Sequence, residues 1–567
     1  MKTWIISGLL ATSLHLSAAA GDWPQWCGRP DRNMVSDARD LPSQFDVSKG
    51  SRTNAAALRN VKWLARLGQA AYGSPVIANG KVFVAGCISG VGNKDTLGAL
   101  WCFRETDGSL LWRFRSPYIA KLYNRSWGIT STPTVESNRV YLLGHLGEVL
   151  CLNADGLSGG NTGPFQDEAA LLAADRTVTV NTITPDGQRR VEITPGTPGR
   201  LEPTDADIIW RYDMIGGVRC WPFNALNAGI LIRGDNLYVA TCSVFSRGGG
   251  DTADDAIDAW LKSVGRTNYD SPSLIVLDKR TGHLLARDDT GSFNGSFHGA
   301  HSSPALGTVA GREMIALGGG DGTCYALDPT IVPGPEGTPG ILRTIWKFDC
   351  IAPSTYTADT ASKRPPKHVE IVATPVFYSN RVYVAVGNDL LESGSAAPQG
   401  RLLCIDASQT GDVTRTAKIW SFDDIRSSSS TVAIQDGLVY TADASGNIFC
   451  LDADTGKLYW QYKTKPVWGS PLAADGKVYV PTHGRGLLVF AAGKTLKIVG
   501  EGTGGLELDG SPAVAGRTLY IVSAHHLYAL ENRSPLRLTL LAAGAGLALA
   551  AGLFALRLLN KRPASAP

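Results

Sequence analysis

Thr431 to Trp460 reads TVAIQDGLVYTADASGNIFCLDADTGKLYW, and Gly469 to Phe490 repeats its plan as GSPLAADGKVYVPTHGRGLLVF. Each copy opens on a Ser/Thr anchor and a short apolar strand. A glycine turn, a V-Y-rich strand and a second turn follow, then an alternating strand ending in Asp. The first copy closes with Thr-Gly and a strand ending in Trp. Four short strands separated by turn residues in about forty residues is the period of one propeller blade.

Working outward, Ser-Pro or Thr-Pro anchors recur at Ser74-Pro75, Thr132-Pro133, Ser303-Pro304, Thr374-Pro375, Ser470-Pro471 and Ser511-Pro512. Degenerate anchors at Asn224-Ala225 and Ser430-Thr431 bring the number to eight. Proline is tolerated at the first residue of a strand, where its missing N–H need not join a ladder. In Asp452-Ala453-Asp454-Thr455-Gly456 the Asp side chain can accept from turn N–H groups, and the glycine takes positive φ. Trp460 stands four residues past Gly456 and Trp112 four past Gly108; Trp210, Trp346 and Trp420 close other fourth strands. Rings recurring there read as wedges between blades, each burying roughly 200 Å². Ala286 fills that place after Gly282.

The last unit, Gly510 to Leu530, is too short for four strands. Val61 to Leu67 (VKWLARL) can supply the missing one, with Trp63 as its wedge, and so remove the sheet edge. The expected fold is all-β: an eight-bladed β-propeller of four-stranded blades, spanning 59–533 and closed by an N-terminal strand. Long insertions fall at 157–207 and 246–271, with short helices expected near 166–174 and 254–264, and shorter insertions lie at 352–368 and 388–400.

The ends differ from the repeat. Residues 1–20 carry Lys2, an apolar run and Ala18-Ala19-Ala20, which reads as a signal peptide, followed by an extension over 21–58. Leu538 to Leu556 has no charge and is flanked by Arg537 and Arg557, then Lys561 and Arg562. At about 1.5 Å per residue it covers roughly the 30 Å hydrocarbon core, so 534–560 is expected to be a transmembrane helix. The tail 561–567 would then be cytoplasmic, as the positive-inside rule requires, and the propeller extracytoplasmic. Gly544, Ala548 and Gly552 have the small-xxx-small spacing that lets two such helices approach in a dimer.

Formal net charge is +3, from 54 Lys and Arg against 51 Asp and Glu, which gives no basic footprint for nucleic acid. Of the ten cysteines, Cys102, Cys151, Cys404 and Cys450 share one repeat position, which fits a small buried slot better than a disulfide framework. Cys324 and Cys350 flank one hairpin and could pair, although the inferred register is off by a few residues. There is no CxxCH for covalent haem and no HExxH, and neither a GxSxG elbow nor a phosphate-cradling GxGxxG stands in a strand–helix context.

Cys450-x-Asp452-x-x-Thr455-Gly456-Lys457-x-x-Trp460 resembles the tryptophan-docking repeat of the pyrroloquinoline-quinone (PQQ) propeller superfamily, with Cys in the usual Ala place. The stretches DWPQW (22–26), FHGAHSSP, GGGDGTCYALD and RSSSSTVAIQDGLVYTADASG are similar to exported bacterial PQQ-like repeat proteins. The resemblance runs from Asp22 to Leu530. It implies the fold, and it implies either a quinoprotein dehydrogenase or a non-catalytic assembly factor. A dehydrogenase would hold PQQ with calcium, using acidic and amide ligands, an Asp base, a Trp floor and often a vicinal disulfide; this sequence has no Cys-Cys pair.

Residues just before the innermost strands are expected to line one channel mouth: Tyr72, Trp127, Trp221, Asn224, His298, His301, Arg426, Trp468 and Asp509. Aromatic, imidazole and guanidinium groups at a concave opening suit ligand or peptide recognition, and they equally suit a neck that closes the ring. His298 and His301 have HxxH spacing without an evident third metal ligand. The expected function is a membrane-tethered binding scaffold in the cell envelope, non-catalytic and without a cofactor, its partner an envelope protein or small ligand. The alternative is a PQQ- and calcium-dependent dehydrogenase of alcohols or sugars.

Overall fold

A computed structural model of the chain describes residues 21–46, 58–89, 97–116, 128–161, 163–172, 177–181, 190–194, 200–218, 220, 227–242, 271–292, 301–351, 370–387, 400–503 and 505–533. The repeat quoted above forms one antiparallel blade of Ala433–Gln435, Leu438–Ala442, Asn447–Asp452 and Leu458–Lys463. Its alternating apolar residues bury both faces, because a neighbouring blade covers each side. Seven further four-stranded units follow the same order, and the one at the chain's end is completed by Val61–Arg66 pairing with His526–Leu530. Numbered from the N-terminus, the blades span 76–116, 134–213, 231–288, 305–349, 376–422, 433–463, 472–503, and 513–530 with 61–66.

The ring is stitched by the anchor hydroxyls. The buried backbone N–H at the head of each inner strand needs an acceptor. Ser74 N–H donates to Thr132 Oγ1, and Ser303 to Thr374, Thr374 to Thr431, Thr431 to Ser470, Ser470 to Ser511 and Ser511 to Ser74 do likewise, as Gly229 does to Ser303 Oγ, at 2.8–3.3 Å. Two expectations shift here. Blade 3 opens at Leu231–Arg233 with Gly229 at the anchor position, not at Asn224-Ala225; in blade 6 Thr431, not Ser430, enters the ring. Gly229 has no hydroxyl for Thr132, and Thr134 Oγ1 instead donates to Ile230 O at 2.7 Å.

The extension lies inside the ring. Gly21 to Met34 runs along the inner strands at the end where strands 1 and 2 turn. Gly21 O accepts from Gly516, Trp23 exchanges two bonds with Ile77, and Pro24 O accepts from Val135. Pro30 O accepts from Leu306, Asp31 O from Phe377 and Met34 O from Ala473, while the Asn33 amide pairs with the Ile434 backbone. The fully buried Arg32 donates to Ile230 O and Pro304 O and to two oxygens of the segment itself, Gln25 Oε1 and Trp26 O. Every blade is touched. Burial lowers the Arg32 guanidinium to about 10, so at neutral pH it is a cation held by acceptor oxygens.

Within the insertion at 157–207 the backbone forms the helix Glu168–Leu171 and a hairpin of Thr177–Asn181 with Arg190–Thr194. All ten cysteines are free and buried, including Cys324 and Cys350, where Cys324 pairs in register with Phe348. Among the described residues no helix is long and apolar enough to cross a membrane. Residues 1–20 and 534–567, including Leu538–Leu556 and Gly544, Ala548 and Gly552, lie outside the described residues, as does the expected helix at 254–264.

Candidate functional site: the channel mouth

Antiparallel order sends every 1–2 and 3–4 turn to one face, where the plug sits, and every 2–3 turn and inter-blade connection to the other. The second face is the mouth. Two residues before the hydroxyl ring, Tyr72, His301, Trp468 and Asp509 occupy equivalent positions on blades 1, 4, 7 and 8; Arg426 lies five before it on blade 6. Trp127, Trp221, Asn224 and His298 lie outside the described residues.

Three of these residues come together on the consecutive blades 7, 8 and 1, around two residues that the sequence reading passed over. The Trp468 ring stacks on the His483 imidazole, with centroids 4.5 Å apart and planes at 24°. His483 Nδ1 lies 2.8 Å from Asp509 Oδ1. His483 is also bridged to Glu507 through the backbone. Burial raises the Asp509 carboxyl above its ordinary value; the His483 bond opposes this and Glu507 adds to it. Tyr72 is pushed up to about 12 by burial first, then by the charges of Asp509, Cys87 and Glu507. A signal for His483 existed, since PTHGRG is a 2–3 turn and every such turn faces the mouth.

His301 is buried on the far side of the mouth, and Arg426 is exposed, its backbone N–H donating to Asp443 Oδ2 at 3.1 Å. Among the described residues no three His, Cys, Asp or Glu side chains gather as a metal ion would need. Calcium takes six to eight oxygens, and the mouth's described carboxylates, Asp509 already bonded to His483, fall short of that set. The described residues do not fit a PQQ–calcium centre.

The indoles take the wedge positions. Trp420 Nε1–H donates to Ala453 O on the next blade at 2.9 Å, and its ring lies so close over Gly456 that a Cβ there would come within 2.7 Å of ring carbons. Trp63, Trp112 and Trp210 repeat this on Glu105, Ala154 and Lys279 carbonyls, and Trp460 donates to Gly493 O. Trp346 is fully buried, yet its Nε1–H has no acceptor among the described residues. Cys102, Cys151, Cys404 and Cys450 each sit directly across the ladder from a wedge indole, the small slot expected of them.

Residues 398–534 match the family model described as outer membrane protein assembly factor BamB. Over those residues the chain is similar to PQQ-like repeat propellers. Solved structures similar to this propeller include BamB from Moraxella catarrhalis, at 13% identity and TM-score 0.44 over 82% of this chain and 96% of that one. Quinohemoprotein alcohol dehydrogenase from Comamonas testosteroni is 13% identical, with TM-score 0.42 over 92% and 82%. A europium-containing methanol dehydrogenase is 13% identical, with TM-score 0.40 over 81% and 89%. No curated protein sequence matches the chain.

Proposed function

We propose that this PQQ-like propeller is a non-catalytic binding scaffold of the cell envelope, exported by residues 1–20, tethered to the membrane by 534–560, and engaging its partner through the channel mouth. The observation that carries this reading is the asymmetry of the channel. One end is occupied by Gly21–Met34, and the other presents a half-buried indole, imidazole, carboxylate and phenol on three adjacent blades. Such a recess, with a few convergent polar groups among aromatic walls, is how ligand and peptide sites are built. The match of residues 398–534 to an assembly factor is the analogy that favours a protein partner.

The test uses the purified full chain in detergent. With PQQ and Ca²⁺ supplied, it should retain no quinone absorbance and reduce no dye with alcohols or aldose sugars. Stoichiometric retained quinone would overturn the scaffold reading in favour of a dehydrogenase. In parallel, a protein cross-linked to the tethered chain should be lost on Trp468→Ala and kept on Asp235→Ala, a substitution on the opposite face. Equal capture by both variants would remove the mouth from the interaction.

A further inference from the structure

Large exposed apolar side chains are unevenly placed on this molecule. Among the described residues they are Leu110, Val332, Ile419, Leu458, Leu496 and Ile498, at 38–45% exposure. Leu110, Ile419, Leu458, Leu496 and Ile498 stand within two residues of the start of a fourth strand, and Val332 at the end of a third. Since fourth strands run away from the plug face, the five that open them belong to that face, whereas Val332 sits on the hairpin that folds back to Arg287 of blade 3. These five are distributed over blades 1, 5, 6 and 7, so they form a rim rather than a patch.

The chain leaves the propeller on the same face, at blade 8. Glu531 N–H donates to Asn60 O, Asn532 Nδ2 to Asp40 O and Oδ1, and Arg533 to Asn60 Oδ1 and Lys62 O, at 2.8–3.1 Å. The exit is therefore fixed at Arg533. From there to Leu538, the first residue of the uncharged run, five residues reach at most about 18 Å. A headgroup layer fills roughly 5–8 Å of that. Beside the exit, Asp22, Arg29, Asp37, Arg39, Asp40 and Arg517 line a recess of about 830 Å³ that carries both signs of charge.

We propose that the plug-bearing face lies against the bilayer surface, with its apolar rim in the interfacial layer, and that the mouth opens away from the membrane. The inference rests on the reading that 538–556 spans the bilayer. The rim adds an independent reason, because exposed leucine and isoleucine beside polar, charged surface favour the headgroup–acyl boundary. The mixed-charge recess suits a headgroup layer and would be out of place in the hydrocarbon. A partner thus reaches Trp468 and Asp509 from the side facing away from the lipid.

The test places one fluorophore on each face of the full chain reconstituted in phosphatidylethanolamine–phosphatidylglycerol vesicles that carry a headgroup-linked acceptor. Asp37→Cys labels the plug face and Lys465→Cys the mouth side; both positions are exposed, and the unsubstituted chain, with its cysteines buried, is the labelling blank. The faces are at least a strand length apart, about 20 Å. Energy transfer from Asp37→Cys should exceed that from Lys465→Cys at least fivefold. Equal or reversed transfer in a chain that floats with the vesicles overturns the orientation while leaving the tether intact. A full chain that does not float with vesicles overturns the tether, and the orientation falls with it.

Discussion

The junction between blades 5 and 6 and the junction between blades 3 and 4 solve one packing problem in two ways. At the first, Trp420 lies on Gly456 and donates to Ala453, and Tyr383 OH donates to the same carbonyl at 3.0 Å. At the second, Ala286 leaves a ring-sized gap. The third and fourth strands of blade 4 lengthen to Thr323–Val332 and Gly340–Asp349, and the hairpin they form folds back so that Gly340 pairs in parallel with Ala286. Tyr238 OH then donates to Pro329 O on that hairpin at 2.9 Å. The blade 7 junction uses a third device. Gly500 stands at the wedge position, and Ser43 O of the N-terminal segment lies where a side chain would begin, 1.6 Å from a Cβ built there. A wedge is thus a volume to be filled, and backbone fills it as well as indole does.

The largest effect is expected where the wedge is a ring. Trp420→Ala should cost about 3–5 kcal/mol, the usual range for emptying a buried indole site, read as a lower urea midpoint of the full chain. A loss below about 1 kcal/mol would show that blades 5 and 6 are held by something other than the ring.

Second, the junction of blades 3 and 4 should respond to pH. Burial raises the carboxyl of Asp321, in the 2–3 turn of blade 4, to about 6, although Tyr325 OH donates to it at 2.6 Å; buried Asp288 on blade 3 is raised as well. A raised carboxyl favours the fold while protonated. Its contribution is therefore complete below about pH 4 and disappears as pH rises through about 6. Asp321→Asn should gain about 2–3 kcal/mol over the parent chain at pH 8 relative to pH 4, from unfolding midpoints at the two pH values. A pH-independent difference would contradict the assignment.

Third, Ala286→Trp restores the repeat's most frequent residue and should still destabilise, by about 1–3 kcal/mol, since the ring would displace the hairpin strand already there. A gain in stability would mean that the hairpin is dispensable. The smallest effect separates two similar rings. Trp420→Phe gives up the bond to Ala453 O and should cost about 1 kcal/mol more than Trp346→Phe, whose indole N–H has no acceptor among the described residues to lose. Equal losses in thermal melts would show that the bond contributes nothing.

The wedges were legible in the sequence because each is a local event: a glycine, a fixed spacing and a ring on the returning strand. Closure by Val61–Arg66 was legible from the shortness of the last unit. The anchors were read through their prolines, whereas the hydroxyls do the joining; that is why glycine-bearing blade 3 was set too early, at Asn224. DWPQWCGRPDRNM has no period, and several of its partners are backbone groups more than four hundred residues away, such as Ile434 for Asn33 and Ala473 for Met34. No local pattern could announce it. At the mouth, Tyr72, Trp468 and Asp509 were found by counting back from the anchors, and His483 was missed because it stands on a turn within a blade.

The buried segment has a consequence for the lineage of the molecule. Tandem modules are prone to gain or lose a copy, and a ring of near-identical sectors tolerates such slippage if nothing inside it keeps count. Here Gly21 to Met34 attaches to every sector of the ring, so a ring of seven or of nine would leave polar groups stranded at the axis. The segment works as a gauge, and it holds the protein to eight.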